Sequence, residues 1–204
     1  MTSIILIGGS STRLGRDKSI EILDGVSLLD RVINKMTQIS NEILLVMKPG
    51  QSRDLHFRSS SVSIIYDDFL GNGPLGGLYS GLKASSNPYA WVVGCDMPFL
   101  NTELLKYQMK CALIYDAVVP NFDQLQALHA VYGKSCISAI ENLLKQNKNY
   151  AIKRLFPLVN VLYLEKSDIF NYDPNGESFF NINTEDDLEL ALYNLEEDSK
   201  DKYR

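Results

Sequence analysis

The chain has 204 residues, 45% of them hydrophobic, which is enough apolar material for one α/β domain with a substantial core and too little length for two. A formal net charge of −5 argues against nucleic-acid binding, where clustered Lys and Arg neutralise phosphates, so any anionic ligand must be held locally. The three cysteines, Cys95, Cys111 and Cys136, form no C-x-x-C pair. With no signal peptide and no apolar run of bilayer length, they predict a cytoplasmic protein without disulfide, zinc site or membrane attachment.

In chain order, Ser3-Ile4-Ile5-Leu6-Ile7 is a short apolar, β-branched run that reads as a buried central strand. It passes without a spacer into Gly8-Gly9-Ser10-Ser11-Thr12-Arg13-Leu14-Gly15-Arg16-Asp17-Lys18. Glycines allow positive φ and put no Cβ between main-chain N–H groups and an anion, while Arg13 and Lys18 add full charges, so the loop suits a phosphate. Its spacing fits neither the Walker loop nor G-x-G-x-x-G. Ser27 then caps a helix through Leu28, Leu29, Val32, Ile33 and Met36, ending near Ser40. Glu42 to Met47 predicts a second buried strand, Gln51 to Phe57 one or two helical turns with His56 on the surface, and Val62 to Tyr66 a third strand ending at Asp67-Asp68. Strand, helix, strand, helix, strand implies parallel pairing with right-handed crossovers. That places the glycine loop and Asp67 at one carboxyl edge of the sheet, where open α/β folds bind ligands.

Gly71 to Leu82 is rich in glycine, with Pro74 suited to a first helical position. Gly77 and Gly81 serve either a ligand approach or tight helix-to-sheet packing. Trp91 to Cys95 gives a fourth strand with Asp96-Met97-Pro98 at its carboxyl end. Asp96 either aims a carboxylate into the crevice, where an oxygen ligand suits Mg²⁺, or caps the turn before Pro98. A helix from Asn101 or Thr102, strands over Asp116 to Pro120 and Gln126 to Tyr132, and a helix over Cys136 to Gln146 follow. A lone histidine in an apolar strand, as His129 is, is more often a satisfied structural residue than a phosphate ligand. Ala151 to Phe156 reads as a short basic helix carrying Lys153 and Arg154, and Leu158 to Leu164 as the last main strand. Thr184 with Asp187 forms a capping-box pattern, and Asn181 and Asn183 alternate on one face of an extended segment. Residues 1–196 form one domain and 197–204 a charged tail expected to fray.

Leu6-Ile7-Gly8-Gly9-Ser10-Ser11-Thr12-Arg13-Leu14-Gly15-Arg16-Asp17-Lys18 resembles the signature L-[AI]-G-G-x-S-x-R-[ML]-G-x-D-K of the molybdenum cofactor guanylyltransferase family. Cys95-Asp96-Met97-Pro98 is similar to the family's C-D-x-P, and Phe179-Phe180-Asn181-Ile182-Asn183-Thr184-Glu185-Asp186-Asp187-Leu188 to its F-x-N-[IV]-N-T-x-[ED]-[DE]-L. The family's P-L-h-a-[LV]-Y stands here as Ala127-Leu128-His129-Ala130-Val131-Tyr132, and Val46-Met47-Lys48 lacks the asparagine common at the end of the second strand. The resemblance implies a three-layer α/β/α, Rossmann-like nucleotidyltransferase domain with a mostly parallel mixed sheet. It implies transfer of GMP from GTP to the phosphate of molybdopterin with Mg²⁺, and transient contact with cofactor-biosynthesis proteins or molybdoenzymes. By the same resemblance Leu6, Ile7, Gly8, Gly9, Ser10, Gly15, Lys18, Asp67, Gly73, Pro74, Leu75 and Asp96 bind nucleotide. Arg13, Lys18 and Asp96 are catalytic, Asp96 ligates the metal, and Asn181 and Asn183 position the acceptor or its phosphate. The alternatives are a cytidylyltransferase of the same superfamily, which usually carries L-A-A-G at the loop, and a non-catalytic nucleotide-binding protein.

Overall fold

Thr2 to Ile7 is buried at every position, and this is why it forms the middle of the sheet. The protein was analysed as a computed structural model, in which residues 1–7, 20–50, 61–67, 69, 73–146 and 151–201 are described. The elements run β1 (Thr2–Ile7), β2 (Ile22–Leu23), β3 (Val26–Ser27), α1 (Leu28–Met36), β4 (Glu42–Met47), β5 (Val62–Tyr66), α2 (Gly73–Ala84) and β6 (Tyr89–Gly94). There follow α3 (Thr102–Cys111), β7 (Ala117–Phe122), β8 (Gln124–Leu125), β9 (His129–Gly133), α4 (Ile137–Lys145), β10 (Val161–Leu164), α5 (Lys166–Ile169) and α6 (Glu185–Asp201).

The main sheet has the order β10-β7-β9-β6-β1-β4-β5, with β8 attached to β7. β9 runs antiparallel to β6 and β7, and the other neighbours on this path are parallel. Side chains alternate across β1: Ile5 and Ile7 join the core covered by α1 and α3, while Ile4 and Leu6 join the core under α2 and α4. The result is the expected three-layer α/β/α arrangement. A third small cluster, Leu23, Leu28, Ile182 and Ala191 with Phe99 and Phe180 against it, ties the β2–β3 hairpin, α1 and α6 together at one end of the molecule.

Local signals account for the helix starts. Ser27 accepts from Asp30 N at α1, and Asn101 accepts from Glu103 N and Leu104 N at α3. Thr184 and Asp187 exchange the two bonds of a capping box, Asp187 N to Thr184 Oγ1 (3.2 Å) and Thr184 N to Asp187 Oδ2 (2.8 Å). Helix α6 stays helical to Asp201, so the charged stretch expected to fray is helical over 197–201. Once a capped turn exists, each added residue costs little. The expected basic helix over 151–156 is instead two 3₁₀ turns, Ile152–Arg154 and Phe156–Leu158, interrupted where Pro157 removes a donor. Its Lys153 and Arg154 are exposed. β10 begins at Val161, later than the expected Leu158, because Asn160 N is held by Asp116 Oδ2 at 2.8 Å. The antiparallel β9 spans His129–Gly133, shorter at its start than Gln126 to Tyr132, since Gln126 N closes a turn onto Pro120 O (2.9 Å). The segment from Gln51 to Phe57, with His56, lies outside the described residues.

The glycines of α2 resolve into packing. A Cβ at Gly81 would lie 2.7 Å from Ile4 Cγ2, and one at Gly77 3.2 Å from Leu6 Cδ2, so α2 seats directly on β1. Gly81→Ala must displace a branched core side chain. It should cost about 1–3 kcal/mol, read as a lower urea midpoint at unchanged m-value.

Candidate active site

Four parallel strands end at one edge of the sheet. The register pairs Leu6 with Val46 and with Gly94, Ile7 with Met47, and Met47 with Tyr66, so Asp67 and Asp96 leave the sheet on either side of the β1 end. Of the residues expected to bind nucleotide, Gly8, Gly9, Ser10, Gly15 and Lys18 lie outside the described residues, as does Arg13. Leu6 and Ile7, at the end of β1, are buried with their side chains in the two cores.

Asp96 is half-buried in the turn after β6. Its carboxylate folds back over its own strand: a Cβ at Gly94 would stand 2.5 Å from Asp96 Oδ1. Gly94 is therefore part of the site, a requirement that only its position two residues before Asp96 hints at in sequence. The Asp96 carbonyl accepts from Ile182 N at 3.0 Å. This bond brings Asn181 and Asn183 to Asp96. Ile182 is fully buried between them, which turns the two amides to the other side. Asn181 Nδ2 donates to Phe179 O and Asn183 Nδ2 to Asn181 O, each at 3.3 Å, while Asn183 N is fixed by Asp187 Oδ2 at 2.8 Å.

Asp67 sits at the expected edge but is committed inward. Oδ1 accepts from Phe69 N at 2.9 Å and from Ser80 Oγ at 3.3 Å, and a Cβ at Gly76 would approach both carboxylate oxygens at 3.0 Å. It thus holds the turn into α2. Gly73, with φ of +57°, and Pro74 are exposed at that helix start, whereas Leu75 is fully buried. Val46 and Met47 are buried, so the end of β4 presents no polar side chain before Lys48.

His129 is a core residue and not a phosphate ligand. It is fully buried, with Gln108 Nε2 3.1 Å from Nδ1 and donating to its carbonyl at 3.2 Å. That leaves Nδ1 the acceptor and the proton on Nε2, which, like Gln108 Oε1, has no partner among the described residues. The ring packs on Phe179 at 4.8 Å. Asp173 Oδ1 and Oδ2 in turn accept from Glu177 N and Ser178 N, which shapes the turn that delivers Phe179 to the site. Sequence spacing gives no sign of this chain of support. Burial also pushes the Cys136 thiol up to about 12, which makes it a packing residue.

An open, mostly parallel α/β sheet with a carboxylate and an asparagine pair at the carboxyl edge of its central strands has the architecture of a nucleotide-binding domain, whose ligand crevice lies at that edge. Residues 3–159 match the model of the MobA-like NTP transferase domain, and the chain belongs to that family. It is a nucleotidyltransferase. The chain is 34% identical over 191 residues to a probable molybdenum cofactor guanylyltransferase of Pelotomaculum thermopropionicum, covering 93% of this chain and 91% of that one. It is 31% identical over 194 residues to the molybdenum cofactor guanylyltransferase of Desulfosudis oleivorans, covering 94% of each. Molybdopterin-guanine dinucleotide biosynthesis protein A from Archaeoglobus fulgidus superposes with a TM-score of 0.84 at 28% identity, over 97% of this chain and 100% of that one. The 2-C-methyl-D-erythritol 4-phosphate cytidylyltransferase of Thermus thermophilus, at 14% identity and a TM-score of 0.71 over 95% and 98%, shares the fold. No helix among the described residues is long and apolar enough to cross a membrane.

Burial lowers the His129 pKa from 6.5 to about 4, outweighing its own backbone hydrogen bond and nearby Asp173, which both act to raise it. The unfolded chain therefore takes up this proton near pH 6.5 and the folded one only near pH 4. The stabilisation is complete above pH 6.5 and is lost as pH falls through that window. Between pH 7 and pH 5 it should amount to on the order of 2 kcal/mol, measured as the difference between wild type and His129→Gln in urea unfolding at the two pH values.

Proposed function

We propose that this chain transfers GMP from GTP to the terminal phosphate of molybdopterin. The observation that carries the reading is the junction at the end of β6, where the Asp96 turn and the Asn181–Asn183 segment meet through the Ile182 hydrogen bond of 3.0 Å. The names of the relatives from Pelotomaculum and Desulfosudis support guanine as the base and the molybdenum cofactor as the acceptor.

An oxygen of the acceptor phosphate forms a bond to the α-phosphorus as the bond from that phosphorus to the bridging oxygen breaks, and pyrophosphate leaves with the electron pair. The acceptor is already an anion, so no general base is needed. Catalysis rests on alignment and on neutralising charge. Arg13 and Lys18 balance the triphosphate, and main-chain N–H groups of Gly8, Gly9, Ser10 and Gly15 cradle it. The main chain of Leu6 and Ile7, with the turn that Asp67 holds and Gly73-Pro74-Leu75, faces the nucleoside. Asn181 and Asn183 hold the acceptor phosphate.

Asp96 is the residue that would hold Mg²⁺. No group of three His, Cys, Asp or Glu side chains able to hold a metal occurs among the described residues, and a single hard carboxylate suits an ion whose other ligands are water and substrate phosphates. Bound there, Mg²⁺ supplies Lewis-acid neutralisation of the reacting phosphates. Substrates of this kind fit a cytoplasmic enzyme that hands its product on through transient contacts with cofactor-biosynthesis proteins or molybdoenzymes.

Asp96→Ala should lower pyrophosphate release from GTP and molybdopterin by at least about 10³-fold while far-UV circular dichroism stays unchanged. Near-normal turnover in that variant would overturn the assignment. Base choice is tested by calorimetric titration with Mg²⁺: GTP should bind at least about tenfold more tightly than CTP or ATP. Tighter binding of CTP would make the chain a cytidylyltransferase.

A further inference from the structure

β10 ends the sheet: it pairs with β7 on one side and, among the described residues, has no strand on the other. Asn160 shows which of its main-chain groups stay free. The Asn160 N–H is held by Asp116 Oδ2 and its carbonyl accepts from Asp116 N, each at 2.8 Å, so this residue faces β7. By alternation Leu162 and Leu164 face β7 as well, and Val159, Val161 and Tyr163 are turned outward. Val159 extends the strand backwards, with φ of −138° and ψ of 163°. Among the described residues nothing accepts from these three N–H groups. Proteins blunt an open edge of this kind with Lys, Pro or a bulge, because its row of N–H and C=O groups templates pairing with another chain. Here Leu158 to Leu164 reads Leu-Val-Asn-Val-Leu-Tyr-Leu, without a charge or a proline. Leu158 is 56% exposed and Tyr163 39%, the latter standing edge-on to Phe156.

We propose that this edge pairs antiparallel with the β10 edge of a second copy of the chain, across a two-fold axis through Val161. Two-fold pairing sets each residue opposite its own counterpart or a near neighbour of it, so any charge on the edge would meet its like, and this edge has none. The register places Val161 against Val161 of the second copy and Val159 against its Tyr163, with two main-chain bonds in each of the three outward pairs. Its ends are fixed by the chain itself. Shifting the axis by one residue would bring into the row either the Glu165 N–H, already held by Asp168 Oδ2 at 3.1 Å, or Pro157, which has no N–H. Val159 and Val161 pack on the core under α2 and α4, and Tyr163 meets Phe156 of that same core, so the three outward residues share one face of the sheet. The Val–Tyr contacts across the axis are then aromatic against β-branched, a pairing that stabilises sheets. Because the axis is normal to the sheet, the carboxyl edges of the two copies point opposite ways and both Asp96 turns stay open. The inference is therefore independent of the reaction proposed above.

Sedimentation equilibrium of the full chain at about 50 μM should give twice the chain mass of 23.0 kDa. Tyr163→Pro removes an outward N–H that the ladder to β7 does not use, and should weaken the dimer at least about tenfold with far-UV circular dichroism unchanged. Tyr163→Lys keeps every main-chain group and sets a charge on the edge; it should have the same effect and decides the matter if the proline variant does not fold. Val161→Cys puts a thiol opposite its own copy, and on incubation with oxidised glutathione should yield a disulfide-linked dimer on a non-reducing gel. Wild type, whose Cys136 is buried and whose Cys95 and Cys111 are half-buried, gives the background for that gel. A monomer at this concentration overturns the proposal. So does a dimer that the folded Tyr163 variants leave intact, or one that Val161→Cys does not cross-link, since its interface would then lie elsewhere.

Discussion

One main-chain hydrogen bond, from Ile182 N–H to the Asp96 carbonyl at 3.0 Å, holds the candidate site together. It persists because Ile182 is fully buried against Leu23, Leu28 and Ala191, and a buried N–H must find an acceptor. The cluster belongs at once to the β2–β3 hairpin that follows the glycine loop, to the first turn of α1 and to α6. Three distant parts of the chain, residues 23–28, Phe99 and residues 180–195, therefore meet in one small core. The β2–β3 hairpin, the Asp96 turn and the asparagine pair are held as a unit.

The sheet then divides the work. β1, β4 and β5 run parallel and end together on one side of the Asp96 turn, while β9 is inserted antiparallel between β6 and β7 on the other. Because β9 runs backwards, its first residue, His129, pairs with Val93 near the carboxyl end of β6, beneath Phe179. A buried neutral histidine with an amide beside it is an expensive foundation, and two of its polar atoms lack partners among the described residues. Its geometric effect is to support the phenyl ring that leads into Asn181. Asp173, bonded to Glu177 N and Ser178 N, fixes the same turn from the other end.

Much of the fold was legible because its signals are local. β4 and β5 coincide with the strands read from Glu42 to Met47 and from Val62 to Tyr66, since apolar, β-branched runs between polar breaks have few other ways to hide their side chains. Ser27, Asn101 and Thr184 cap helices through bonds to their near neighbours in the chain. The β2–β3 hairpin was missed although Asp24-Gly25, with φ of +48° and +74°, is a turn pair. Its two-residue strands are too short to show a period.

What the sequence by itself determined is the order of the main strands and helices, their parallel crossovers and thus the edge shared by Asp67 and Asp96; a tertiary contact, Ile182 N–H to the Asp96 carbonyl, brought Asn181 and Asn183 there. The tertiary structure decided what each side chain does there. It turned Asp67 inward onto Ser80 and the start of α2, and folded the Asp96 carboxylate over Gly94. It assigned Gly77 and Gly81 to packing on β1, and His129 to the core. The physical reason is the range of the forces involved. Strand and helix preferences depend on residues a few positions apart, whereas burial, the orientation of a carboxylate and the protonation of an imidazole depend on whichever distant segment packs against them.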